Sequence, residues 1–244
     1  MGVVASGVRR LKRAQARFSK PRLTLRQEGN LEILESRLTN HDSRFSLSME
    51  LIPLWIKLVY TAFAVVTVAV YSRKYPLWNF LWFSDIALIA TVPALWLESS
   101  LLAGMMLVGV LLPELLWNAA FFGRLLTGKR LFGLTNYMFD PMKPLYLRAI
   151  SLFHVFLPLL LLWMVARLGY DPDALIGQTL LAWVVLPLSY RLADPKVENL
   201  NWVFGWTAEP QQRMPPLAYL GVMMVFFPVV IHFPTHLLLQ RLFS

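Results

Sequence analysis

Residues 100–122 read SLLAGMMLVGVLLPELLWNAAFF, with Glu114 the single ionisable side chain among them. An α-helix rises about 1.5 Å per residue, so ~20 such residues cross a hydrocarbon layer of about 30 Å. The stretch therefore reads as a transmembrane helix carrying one buried acid. Everything around it is consistent in kind: 57% of the 244 residues are hydrophobic, 15% are charged and the mean hydropathy is +0.54. Soluble domains hold roughly 45–50% apolar and about 25% charged residues, and a disordered chain holds fewer apolar ones still, so both classes are excluded.

Six apolar runs of spanning length follow Met49, at about 51–71, 76–97, 100–122, 145–166, 174–191 and 217–240. The expected fold is all-α, a polytopic membrane protein of six transmembrane helices, with five to seven as the range. Tyr75-Pro76, Asp171-Pro172 and Asp194-Pro195 punctuate the connections, and Pro215-Pro216 opens the last run, where a missing N–H costs nothing. Internal prolines such as Pro113 and Pro158 are tolerated in lipid, where neighbouring groups re-satisfy the freed carbonyls. Lys57 is expected to snorkel to the headgroups. The runs are too long and too little alternating for a β-barrel, and no internal repeat points to an inverted-repeat transporter.

Residues 1–48 are a different object, with ten Lys/Arg and four acids. Three readings of this basic tail stand open: an over-extended start ahead of Met49, an Arg-rich presequence, or a lipid-attached arm in which Met1-Gly2…Ser6 matches the myristoylation pattern. A cytosolic arm lying on anionic lipid is the plainest alternative. The net charge of +9 thus has its source mostly in the tail, and neither a nucleic-acid partner nor a cofactor is expected; the expected partner is membrane lipid. Nothing in the sequence sets the oligomeric state. Past the tail, ten Lys/Arg fall in connections 1–2, 3–4 and 5–6, against Arg167 and Arg241 on the other side, so the odd-numbered connections are expected to face the cytoplasm of a bacterial inner membrane. The tail's own basic residues oppose that orientation.

An ionisable group inside hydrocarbon costs at least ~2.5–3.5 kcal/mol and calls for a partner or a purpose. Counting from the odd-connection end of each run places Asp85, Glu114 and His154 at ~12–14 Å depth, on three consecutive helices. Two acids and an imidazole at one level predict one buried cluster with Ser84 at its edge, a combination that marks functional sites. The plain alternative is a polar knot that sets helix register. His232 and His236 lie toward the opposite headgroups, where H-x-x-x-H spacing makes them weak candidates for metal ligands, interrupted by Pro234. No other metal site is expected, unless Asp85, Glu114 and His154 themselves hold an ion. Connection 3–4 contains Asp140-Pro141, a turn signal, and Arg148 ahead of Ser151 and His154; its functional reading is a mouth where Arg148 meets a lipid headgroup. Asn201, beside Trp202 in connection 5–6, is expected to fold back over that mouth or to lie in a solvated loop.

The polar pair Ser84-Asp85 midway along the second run, followed by His154 in SLFHVFLP after an aromatic-Pro loop, resembles the androgen-induced-gene-product family of intramembrane hydrolases. It is also similar to related phospholipid acyltransferases and their bacterial relatives. The resemblance covers runs two to four. It implies cleavage or transfer of a fatty acyl ester, with Ser84 at the nucleophile position and His154 as base. The sequence departs from the pattern in having Ser for Thr or Cys, Asp85 beside it, and Glu114.

Two functional expectations of different class result. In one, His154 deprotonates Ser84, with Glu114 or Asp85 orienting the imidazole, and the protein is a lipid acyl hydrolase or acyltransferase. In the other, Asp85, Glu114 and His154 relay protons in a coupled carrier. A non-catalytic membrane subunit is the third reading.

Overall fold

The computed structural model describes residues 51–130, 133–195, 197–206 and 210–243; the basic tail lies outside them. The described chain is all-helical. Helix α1 is Leu54–Lys74, α2 Phe83–Trp96, α3 Ser100–Thr127, α4 Leu145–Ile150, α5 Phe153–Leu168 and α6 Ala174–Leu192. Helix α7, Pro216–Phe226, continues through a π-helical turn, Phe227–His232, into α8, Phe233–Phe243. Taking α4 with α5 and α7 with α8, five segments are long and apolar enough to cross a membrane, and α2 is a shorter sixth. The protein is an integral, multipass membrane protein.

Helix α3 is the centre of the bundle, with α2, α5 and α6 packed on it. Ser99 caps its start by accepting from the Leu102 amide at 3.2 Å, and Gly128 ends it in the left-handed region at φ 71°. Its small residues permit close approach: a Cβ on Gly109 would collide with the Gln178 amide, 2.6 Å from its Cδ, and one on Gly104 would fall 3.0 Å from the Ala174 Cβ. The opposite faces of the helices expose Val65, Val66, Leu115, Leu180, Val184 and Val229. Soluble proteins do not present apolar surface so continuously, whereas lipid does not penalise it.

Three runs depart from unbroken helices. The second begins with a 3₁₀ turn at Leu77–Leu81, leaving α2 with 14 residues, which span only ~21 Å. The fourth is interrupted at Ser151-Leu152, where Ser151 Oγ bonds back to the Leu147 carbonyl at 3.0 Å. The sixth widens into the π turn because Pro234 has no N–H and its ring excludes the ordinary carbonyl partner; the Phe233 amide reaches back five residues to Pro228.

Lys57 does not snorkel. It is buried, and its ammonium donates to Glu98 Oε1 at 2.9 Å. Glu98 also accepts from the Leu51 and Ile52 amides, which satisfies donors at the start of the described chain.

Candidate functional site

The side chains of Ser84, Asp85, Glu114 and His154 line one cavity of about 320 Å³. It is built where the C-terminal end of α1, the start of α2, the second half of α3, the start of α5 and the connections 3–4 and 5–6 converge. His154 Nδ1 stands 2.9 Å from both carboxylate oxygens of Glu114. The imidazole stacks on the Trp117 ring at 4.7 Å and on the Phe153 ring at 4.2 Å, which restricts its rotation. Asn118 donates to the carbonyls of both Glu114 and His154 at 2.8 Å, locking α3 to α5 at the same level. A carboxylate only accepts, so Nδ1 is the donor of this pair, and in the neutral imidazole Nε2 then presents a lone pair. Among the described residues Nε2 has no hydrogen-bond partner.

Asp85 is buried in the first turn of α2 and accepts from Asn79 Nδ2 at 2.9 Å. Asp85 lies within electrostatic reach of His154, Glu198 and Glu114 but bonds to none of them. The expected cluster is therefore a bonded Glu114–His154 pair with Asp85 facing it across the cavity. Asp85 and His154 both sit in the first turn after a break in their runs. Ser84 lines the cavity without a hydrogen bond to His154.

Asn201 folds back into the bundle. Its Oδ1 accepts from the Phe83 amide at 3.2 Å, and its Nδ2 donates to the Leu81 carbonyl at 2.8 Å and to Ser189 Oγ at 3.1 Å. Asn201 thus satisfies the broken start of α2 from a residue more than a hundred positions away, adopting φ 49° to do so.

Several lining residues escape sequence reasoning. Tyr71 and Ser151 share a hydrogen bond of 3.1 Å, and Tyr137 sits against Ser151, its phenol pushed up by burial. Glu198 accepts from Trp82 Nε1 at 3.1 Å; burial raises its carboxyl, while Trp82 and Lys143 hold it back in part. Lys143 Nζ lies 5.1 Å from the Tyr75 ring and 4.9 Å from the Tyr137 ring. Tyr137, Lys143 and Glu198 come from connections, where no hydropathy period exists to point them inward, whereas Tyr71 lies in the last turns of α1. The one available signal was the density of aromatic and polar residues in connection 3–4.

Other candidates sit elsewhere. Asp140 is exposed, and its Oδ1 caps the turn by accepting from the Met142 amide at 2.9 Å. Arg148 lines no wall of this cavity and donates to the Met138 carbonyl at 3.3 Å. His236 Nδ1 pairs with the Tyr170 hydroxyl at 2.7 Å, and His232 Nδ1 with Thr179 Oγ1 at 3.4 Å. Among the described residues no group of three or more His, Asp or Glu has the geometry to hold a metal ion, at either the histidine pair or the cavity.

No protein family, curated protein or solved structure matches the chain.

Proposed function

We propose that this protein is a lipid acyl hydrolase or acyltransferase of the bacterial inner (plasma) membrane, with His154 as general base. The observation that carries the reading is the imidazole held by Glu114 at Nδ1, with Nε2 unpaired beside a cavity that Asp85 and Ser84 also line. A base so oriented takes a proton from a nucleophile and returns it to the leaving alkoxide, a contribution of typically 10²–10⁴-fold. Most of the lining is aromatic or aliphatic, as an acyl chain requires, and membrane lipid is the partner that a cavity among transmembrane helices would draw on.

The nucleophile this geometry favours is water or an acceptor hydroxyl, because Ser84 makes no bond to His154. Ester turnover followed by mass spectrometry in detergent, with His154→Ala as control, tests the base; equal turnover by that variant ends the reading. Labelling by a fluorophosphonate that disappears in Ser84→Ala would transfer the nucleophile role to Ser84. One feature favours a second reading, a proton-coupled carrier: the cavity gathers three carboxyl groups, Asp85, Glu114 and Glu198, around one imidazole. That reading requires pH-dependent flux in proteoliposomes that is lost in Asp85→Asn, without ester turnover.

A further inference from the structure

Beside the Glu114–His154 cavity is a second, shallower recess of about 420 Å³. Tyr75, Tyr137 and Lys143 line both, so they form the wall between them. The outer recess adds Lys74, the last residue of α1, and Asp140. The Lys143 ammonium is steered by the two tyrosine faces, 5.1 and 4.9 Å away, which attract a cation without occupying its N–H groups. Among the described residues Lys143 has no hydrogen-bonded carboxylate. Glu198 attracts it from the cavity side, and the Asp140 Oδ1 is already engaged by the Met142 amide. Arg148, the headgroup candidate of the sequence, lines neither recess, because its guanidinium is turned to the Met138 carbonyl.

An ammonium aimed in advance, with donors to spare, stands at the boundary between an outer groove carrying a second lysine and an inner cavity carrying a base. That is the layout for holding an anion outside while a neutral ester lies inside. We propose that the outer recess is a subsite for the phosphate of a glycerophospholipid, bound by Lys143 and Lys74, placing the acyl ester of the same lipid at His154. The inference rests on the acyl-lipid reading and names its substrate class. Lys143 is then a positioning residue, and discrimination arises from charge-assisted hydrogen bonds that a neutral glyceride lacks.

The test is a binding titration on the full chain in uncharged detergent, read from the fluorescence of Trp82 and Trp117, which line the cavity. The probes are dioleoylphosphatidylglycerol, dioleoylglycerol and inorganic phosphate. The phospholipid is expected to bind about tenfold or more tightly than the glyceride, the size of a charge-assisted contact. Lys143→Gln should erase that preference and Lys143→Arg retain most of it. Lys74→Gln, at an exposed helix end where folding is not at stake, should reduce it several-fold. Inorganic phosphate that displaces the phospholipid and binds as tightly would support the phosphate subsite and move its source to a soluble phosphate. Equal affinity for the two lipids, or a preference that survives both Gln variants, overturns the proposal. The readout is binding, so it is repeated in His154→Gln: preference without turnover in the parent protein leaves the subsite standing and removes the acyl chemistry alone.

Discussion

His154 Nδ1 lies 2.9 Å from each carboxylate oxygen of Glu114, bridging α5 to α3 inside the bundle. The pair has two separable consequences. Glu114→Gln keeps the shape but removes the acceptor-only partner that sets the tautomer, and esterase turnover is expected to fall by at least about 100-fold. Glu114→Ala strips a buried partner and should also lose about 1–3 kcal/mol of stability, read by unfolding in detergent. The double variant Glu114→Gln/His154→Ala is expected to be no slower than His154→Ala alone, since the two act as one unit.

Asn201 is expected to be the most sensitive residue of connection 5–6. Asn201→Ala removes two hydrogen bonds at the start of α2 and one to Ser189 of α6, and places a Cβ-bearing residue without Asn's tolerance at φ 49°. Leaving buried backbone groups unpaired costs about 1–3 kcal/mol each, so a loss of several kcal/mol is expected by thermal unfolding. Asn201→Gly relieves the backbone but not the cap, and should fall between the two. Equal stability of all three proteins would refute the capping role.

Gly109→Ala drives a methyl into the buried Gln178 amide and is expected to cost about 1–3 kcal/mol by overpacking. Gln178→Ala should rescue it, so that the double variant is more stable than the sum of the single losses predicts. Additive losses would show that the two helices do not meet at this point.

Glu98 and Glu198 are expected to bend the pH profile in opposite directions. Partial burial raises the Glu98 carboxyl, but Lys57 and the Ile52 and Leu51 amides outweigh it and leave its pKa below the usual 4.5. Its stabilisation is thus present above pH 4.5 and disappears as the pH falls through the lower folded-state value. Glu198 is raised by burial, so the wild type loses stability relative to Glu198→Gln as the pH climbs past the ordinary glutamate range. Melting curves of Glu98→Gln and Glu198→Gln across roughly pH 3 to 8 are the measurement: the gap to wild type should open with rising pH for both, with Glu98→Gln the weaker protein and Glu198→Gln the stronger.

The chain contains no cysteine, which makes its topology directly readable. The basic connections are expected inside, so Lys129→Cys should react with a membrane-impermeant maleimide only after permeabilisation, and Asp171→Cys in intact cells. The reverse pattern would show that the tail, rather than the loops, sets orientation.

Local sequence was sufficient for the helices themselves. A run such as 100–122 has one low-energy fate in lipid, since its backbone must be satisfied within the segment, and hydropathy alone therefore marks the spans and the costly polar residues inside them. Glu114 and His154 were legible for that reason, as expensive groups needing a partner. Their bond, by contrast, exists only once α5 is packed on α3. The break ahead of Phe83, which sets Asp85 on the same cavity, is paired by a side chain distant in sequence, Asn201. The inward turn of Tyr137, Lys143 and Glu198 likewise arises from connections that carry no period. Hydropathy is a property of each segment by itself, whereas a hydrogen bond between segments exists only once packing has brought its donor and acceptor together.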